Sequence, residues 1–219
     1  MPYAIGDGEN HTLNICQASG MTSLFSPNRT TLNFFSVLAP LGEVLRKVPI
    51  ETVRLDDVTE IEHIDFLKID IQGAELQVFK SGTGKLKQAV AIQTEVSFIC
   101  LYENQPTFGD IDIELRAQGF VPHCFAAIKR WPIAPCVVNG DPRRPLNQLL
   151  EADIVYVKNF FSQDALDNEQ LKHLALIAHH CYGSFDLALR CIVHLETRGC
   201  LPVGSQQKYL ASLSQPKSS

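Results

Sequence analysis

The chain has 219 residues, 45% of them hydrophobic and 20% charged, with a formal net charge of −5. That composition excludes a disordered tail, and the acidic balance argues against nonspecific nucleic-acid binding. No apolar run reaches the roughly 18–20 residues that cross a bilayer, and the opening MPYAIGDGENH holds neither a basic n-region nor a continuous apolar h-region. The expectation is a cytoplasmic protein with neither membrane nor nucleic acid among its partners.

Residues 1–60 carry short β-leaning runs at 3–5, 12–16 and 52–55, interrupted by Gly6-Asp7-Gly8 and Ser26-Pro27-Asn28. This reads as strands and hairpin loops with little helix. From Asp65 the pattern changes. Residues 66–69 are an apolar run ending in Asp70, Gln72-Gly73 makes a tight turn, and residues 74–80 have helical spacing closed by Gly82. A second strand follows at 89–96, then a loop at 104–106 and a helix through Ile111 and Leu115 that ends at Gly119. Further strands fall at 120–128 and, after a Pro/Arg-rich connection at 142–145, at 154–160.

Strands alternating with helices predict a doubly wound, mainly parallel α/β sheet covered on both faces. Beyond Phe161, the 3-4 spacing of Leu171, Leu174 and Ala178, and then of Phe185, Ala188, Ile192 and Leu195, predicts a helical hairpin packed on that sheet. Ser184 suits the N-cap of the second helix, and Gly199 before Pro202 its end. The expected organisation is one domain over 1–161 and a helical extension over 162–219, closing in a frayed polar tail at 212–219.

In an open parallel sheet, ligands bind outside the carboxyl ends of the strands, where helix N-termini point their dipoles inward. Asp70 and Glu95 stand at two such ends. If their strands are neighbours, the two carboxylates flank one crevice. Gly73 would let a ligand or a neighbouring backbone approach closely, and Glu75 sits in the first helical turn. The same acids could equally cap the helix and satisfy its free amides, and spacing alone leaves both readings open.

Other motifs are missing. Gly82-Thr83-Gly84-Lys85 has Phe79 where a Walker glycine belongs and Leu86 where Ser or Thr should bind magnesium. Gly6-Asp7-Gly8 lacks a third glycine, no G-x-S-x-G elbow exists, and His173, His179 and His180 form no H-E-x-x-H pattern. The seven cysteines include no C-x-x-C pair, which fits buried residues or free thiols better than a zinc site. The sequons at Asn10 and Asn28 matter only in a secreted protein.

The run Ile64-Asp65-Phe66-Leu67-Lys68-Ile69-Asp70-Ile71-Gln72-Gly73-Ala74-Glu75-Leu76 resembles the hallmark of the FkbM-type methyltransferase family, a strand ending in L-K-[IV]-D followed by a Gly and a Glu. Further pieces agree in order: Val53-Arg54-Leu55-Asp56, Lys80-Ser81-Gly82, Thr94-Glu95-Val96-Ser97-Phe98, Leu101-Tyr102-Glu103-Asn104-Gln105-Pro106 and Gly119-Phe120, with Ser23-Leu24 near the start. The resemblance runs from about residue 3 to residue 160. It implies a Rossmann-like class I fold that binds S-adenosylmethionine and moves its methyl group to an oxygen of a small molecule, such as a sugar hydroxyl.

By the same resemblance, Asp70 and Glu95 are the catalytic candidates, orienting the acceptor or taking its proton, and Asp70, Gln72, Gly73 and Glu75 are the cofactor-binding candidates. A divalent cation held between the two acids is the alternative way to lower the acceptor's pKa. The family's glycine-rich D-x-G-A-N-x-G turn, and the ribose-gripping acid after it, have no counterpart in residues 1–219. The expected sheet is therefore incomplete on its N-terminal side, with an open edge that invites self-association. The competing expectation is a non-catalytic, methyltransferase-like interaction module.

Overall fold

The structure, a computed structural model, describes residues 3–35, 37–161 and 165–214. The N-terminal part pairs short strands. β1 (Ile5–Gly6) lies parallel to β4 (Val53–Arg54), and β2 (Asn10–Cys16) antiparallel to β3 (Val44–Glu51). Between β2 and β3 lies one helix that the composition did not predict, α1 (Arg29–Phe34). It starts at Asn28, whose side chain accepts a hydrogen bond from the Thr31 amide at 3.0 Å.

The central sheet holds β5 (Phe66–Ile69), β6 (Ala91–Ser97), β7 (Phe120–Trp131) and β8 (Gln148–Lys158), in the order β5-β6-β8-β7. After β5 come α2 (Glu75–Ser81) and a short α3 (Thr83–Leu86), and α4 (Phe108–Ala117) links β6 to β7. Three helices complete the chain: α5 (Asn168–Tyr182), α6 (Phe185–Thr197) and α7 (Ser205–Leu213).

The expectation of a mainly parallel sheet needs correction. Only β5 and β6 run parallel within the central sheet, whereas β8 is antiparallel to both β6 and β7. The reason is the connection after β7: residues 132–147 contain no helix, so the chain reverses without a crossover, and strands joined that way pair antiparallel. Coverage of both faces is observed. Val78 and Phe79 of α2 and Ile111 and Leu115 of α4 pack with Ile92, Val96 and Ile154 on one face; Leu171, Leu174, Ala188 and Leu195 pack with Ala91, Val155 and Val157 on the other. The central strand β6 is buried along nearly its whole length, which is why its sequence reads as a continuous apolar run.

The predicted helical hairpin is present as α5 and α6, joined at Gly183 in a left-handed conformation. Ser184 is the first cap of α6, but its hydroxyl makes no cap bond; it contacts His123 Nε2 at 2.6 Å. The polar tail is partly helical: residues 212–213 close α7, and residues 215–219 lie outside the described ones. Among the described residues no helix is long and apolar enough to cross a membrane.

Candidate functional site

Ile69 of β5 pairs with Thr94 of β6, so Asp70 and Glu95 stand side by side at the carboxyl ends of neighbouring parallel strands. One side chain joins them. Gln72 Nε2 donates to Asp70 Oδ1 at 2.7 Å and to Glu95 Oε2 at 3.2 Å, while the Tyr102 hydroxyl donates to Gln72 Oε1 at 3.3 Å.

Placing Gln72 there takes an unusual turn. Its φ is 57°, in the left-handed region that costs a non-glycine residue about 1–2 kcal/mol, and Gly73 follows at 105°. The Ser23 hydroxyl donates to the Gln72 carbonyl at 2.6 Å and helps fix the turn. At Gly73 a Cβ would lie 3.2 Å from Gln105 Cγ and 3.3 Å from Phe25 Cδ2, so the glycine serves the close approach of the protein's own side chains. Gln105 is itself fixed: its Oε1 accepts from the Leu101 and Tyr102 amides at 2.8 and 3.2 Å, and its Nε2 donates to Ser97 Oγ at 2.7 Å.

Glu75 turns inward and is 2% exposed. Its Oε1 accepts from the Ile71 amide at 2.8 Å and its Oε2 from the Gly73 amide at 3.0 Å, so it caps the loop that precedes its helix. Burial pushes its carboxyl above the usual range, against the pull of those amides. Among the described residues Asp70 accepts no comparable amide bond; its hydrogen bond is to Gln72. The capping reading thus holds for Glu75, in altered form, and Asp70 is left facing the crevice.

Two further charged groups complete the cluster. Lys129 Nζ donates to Glu95 Oε1 at 2.5 Å and to Glu151 Oε2 at 3.1 Å. Strand register brings them together: Lys129 of β7 and Ser97 of β6 both pair with Glu151 of β8. Burial, then the Glu151 charge, lifts the Glu95 carboxyl to about 7, although Lys129 pulls it down. Burial alone would lower the Lys129 amine, but Glu151 and Glu95 override it and hold the proton firmly. Neither Lys129 nor Glu151 was singled out from sequence. Lys129 lies one residue past the predicted end of its strand, and the only signal for Glu151 is an acid beside the apolar Leu149-Leu150 pair.

A cavity of about 700 Å³ opens beside this turn, walled by Ile5, Leu13, Ile50 and Leu67, with Asp70 and Gln72 at its polar side. A family model, described as Methyltransferase FkbM domain, matches residues 1–122, from the N-terminal strands into β7. The chain belongs to the FkbM methyltransferase family. No curated protein and no solved structure matches the chain.

FkbM methyltransferases generally use S-adenosylmethionine, and the cavity suits its adenosyl and sulfonium parts, whereas the family's glycine-rich turn and ribose-gripping acid have no counterpart in residues 1–219. The cavity lies within the range of about 300–1,000 Å³ usual for small-molecule sites. Its walls are mostly apolar, as an adenosyl group needs, and Asp70 supplies the one carboxylate for a cationic donor. A divalent cation is less well served. Among the described residues no three His, Cys, Asp or Glu side chains gather to hold a metal, and the Glu95 oxygens are already taken by Lys129 and Gln72.

Proposed function

We propose that this FkbM methyltransferase transfers a methyl group from S-adenosylmethionine to a hydroxyl oxygen of a small molecule, a sugar or a comparable alcohol. The observation that carries the reading is the Gln72 bridge, which fixes Asp70 at the wall of the large cavity and ties it to Glu95 behind. When bound, the sulfonium donor supplies a methyl group already activated for attack, so the demands on the chain are positioning and removal of one proton.

Asp70 meets those demands most directly. Its Oδ1 is held by Gln72, which leaves Oδ2 to accept the acceptor's hydroxyl proton. Apolar walls exclude water around the reacting atoms. Glu95 acts through Gln72 and Lys129, keeping the amide that holds Asp70 in place. Gln72 and Gly73 shape the turn, and Glu75 supports it from inside.

Calorimetric titration of the 219-residue chain with S-adenosylhomocysteine is the test, after light scattering has shown a monodisperse protein. Micromolar binding is expected, and Asp70→Ala should weaken it by about tenfold or more, the worth of a hydrogen bond to a charged group. A folded, monodisperse chain that gives no binding heat would overturn the reading.

The interaction-module reading draws on the helical hairpin and on the edge position of β5, whose partner in the central sheet is β6 alone. That strand is only four residues long and carries an exposed Lys68 at its middle, two features that oppose edge-to-edge pairing. Replacing Lys68 with valine is accordingly expected to increase self-association. Light scattering over a concentration series checks it, and an unchanged molecular mass would show that the edge is not a pairing surface.

A further inference from the structure

A second, smaller cavity of about 290 Å³ lies beside Gln72. Its polar wall is Gln72, Lys129 and Glu151, and its apolar wall includes Trp131, Leu41 and Met21. Gly20 and Gln72 line both cavities, so the two adjoin at these residues, next to Asp70 in the larger one. We propose that this second cavity is the acceptor subsite, and that Lys129 and Glu151 bind a neutral ring bearing hydroxyl groups while Trp131 covers its apolar face.

Hydrogen-bond capacity argues for that ligand class. A lysine ammonium has three protons, and Lys129 gives one each to Glu95 and Glu151, which leaves one. Glu151 accepts through Oε2, and its Oε1 takes no hydrogen bond from the described residues. The wall therefore offers one free donor beside one free acceptor, the complement of a hydroxyl group, which both donates and accepts. Charge argues the same way. The charged groups of the wall, Lys129 and Glu151, are paired and cancel, so a phosphorylated or carboxylated ligand would find no unpaired cation there. The size of the cavity, at the small end of ligand sites, suits a single ring.

The ammonium of Lys129 stands between Glu95 and Glu151. The chain thus carries its own fixed cation on the acceptor side. This inference rests on the proposed transfer to a hydroxyl, because it is that reaction that needs an acceptor beside Asp70.

Saturation-transfer NMR on the full chain, with myo-inositol and methyl glucopyranoside as neutral probes and glucose 6-phosphate as the charged one, tests it. Transfer to the neutral rings is expected, with little to the phosphate. Glu151→Gln should weaken binding of the neutral rings by about tenfold, the worth of one charge-assisted hydrogen bond. Because altering a buried acid can upset folding, Leu41→Phe is the second variant: it fills the cavity, touches no charged group, and should abolish transfer while S-adenosylhomocysteine still binds. Absence of transfer to either neutral ring, stronger transfer to the phosphate, or transfer that survives Leu41→Phe would overturn the assignment. Neutral rings binding to a chain that does not bind S-adenosylhomocysteine would uphold the subsite and remove the methyltransferase reading; the reverse pattern would do the opposite.

Discussion

Glu75→Ala is expected to destabilise the protein by about 3 kcal/mol, because it strands the buried amides of Ile71 and Gly73 at roughly 1–3 kcal/mol each. The two amides belong to the turn that holds Gln72 left-handed, and among the described residues Glu75 is the side chain that accepts from them. Glu75→Gln separates the causes. Its one carbonyl oxygen can take the place of Oε1, which accepts from Ile71 at 2.8 Å and from Gly73 at 3.3 Å, so the loss should be about 1 kcal/mol. Denaturant midpoints at unchanged m-value measure both.

A functional consequence follows from the same geometry. With the turn released, Gln72 no longer bridges Asp70 and Glu95, so S-adenosylhomocysteine affinity should fall together with stability in Glu75→Ala and be largely kept in Glu75→Gln. If Glu75→Ala were as stable as the parent, the turn would be held by Ser23 and Gln105 alone, and the inward carboxylate would need another explanation.

Local pattern made much of this legible in the sequence. The run 66–69 ending in Asp70, the Gln72-Gly73 turn and the helix after it follow from neighbouring residues alone, and they fold as read. That Asp70 and Glu95 stand at neighbouring strand ends follows from their strands being adjacent, which a strand-helix-strand unit makes the ordinary outcome; of the two, Asp70 reaches the large cavity. The helical hairpin was readable for a similar reason, since its apolar spacing is a property of each helix by itself.

What sequence could not give is set by register over long separations. Lys129 and Glu151 meet because β7 and β8 pair with three irregularities in their register, and the loop between them carries no motif that fixes its length of reversal. The same blind spot produced the parallel-sheet expectation: the direction of β8 is decided by the absence of a helix in 132–147, not by anything within β8. The choice between the two readings of Glu75 was hidden for a subtler reason. An acid in a first helical turn ordinarily faces its own helix amides or a ligand, and here the left-handed pair at 72 and 73 folds the preceding amides back over it.

Glu95→Gln is expected to lower methyl transfer by about a hundredfold at pH 8, the scale on which small misplacements of reacting groups act, and to remove a pH dependence centred near 7. Below pH 7 the protonated Glu95 cannot accept from both Lys129 and the Gln72 amide, so the bridge to Asp70 slackens. Above it the carboxylate accepts both, and transfer rises. Stability should move the other way. Burial raises the folded-state value from 4.5 to about 7, so the folded chain binds the proton more tightly than the unfolded one; the resulting stabilisation is complete below pH 4.5 and lost as pH climbs through 7. Its full size is up to about 3 kcal/mol at 1.36 kcal/mol per unit. The glutamine, having no proton to lose, should therefore lack that slope and gain on the parent in stability as pH rises, while remaining the poorer catalyst. Paired pH profiles of transfer rate and of denaturant midpoint decide the matter. A residue that merely holds the sheet together would lose both when replaced, and only one whose ionisation arms the site would trade stability for rate across a single titration.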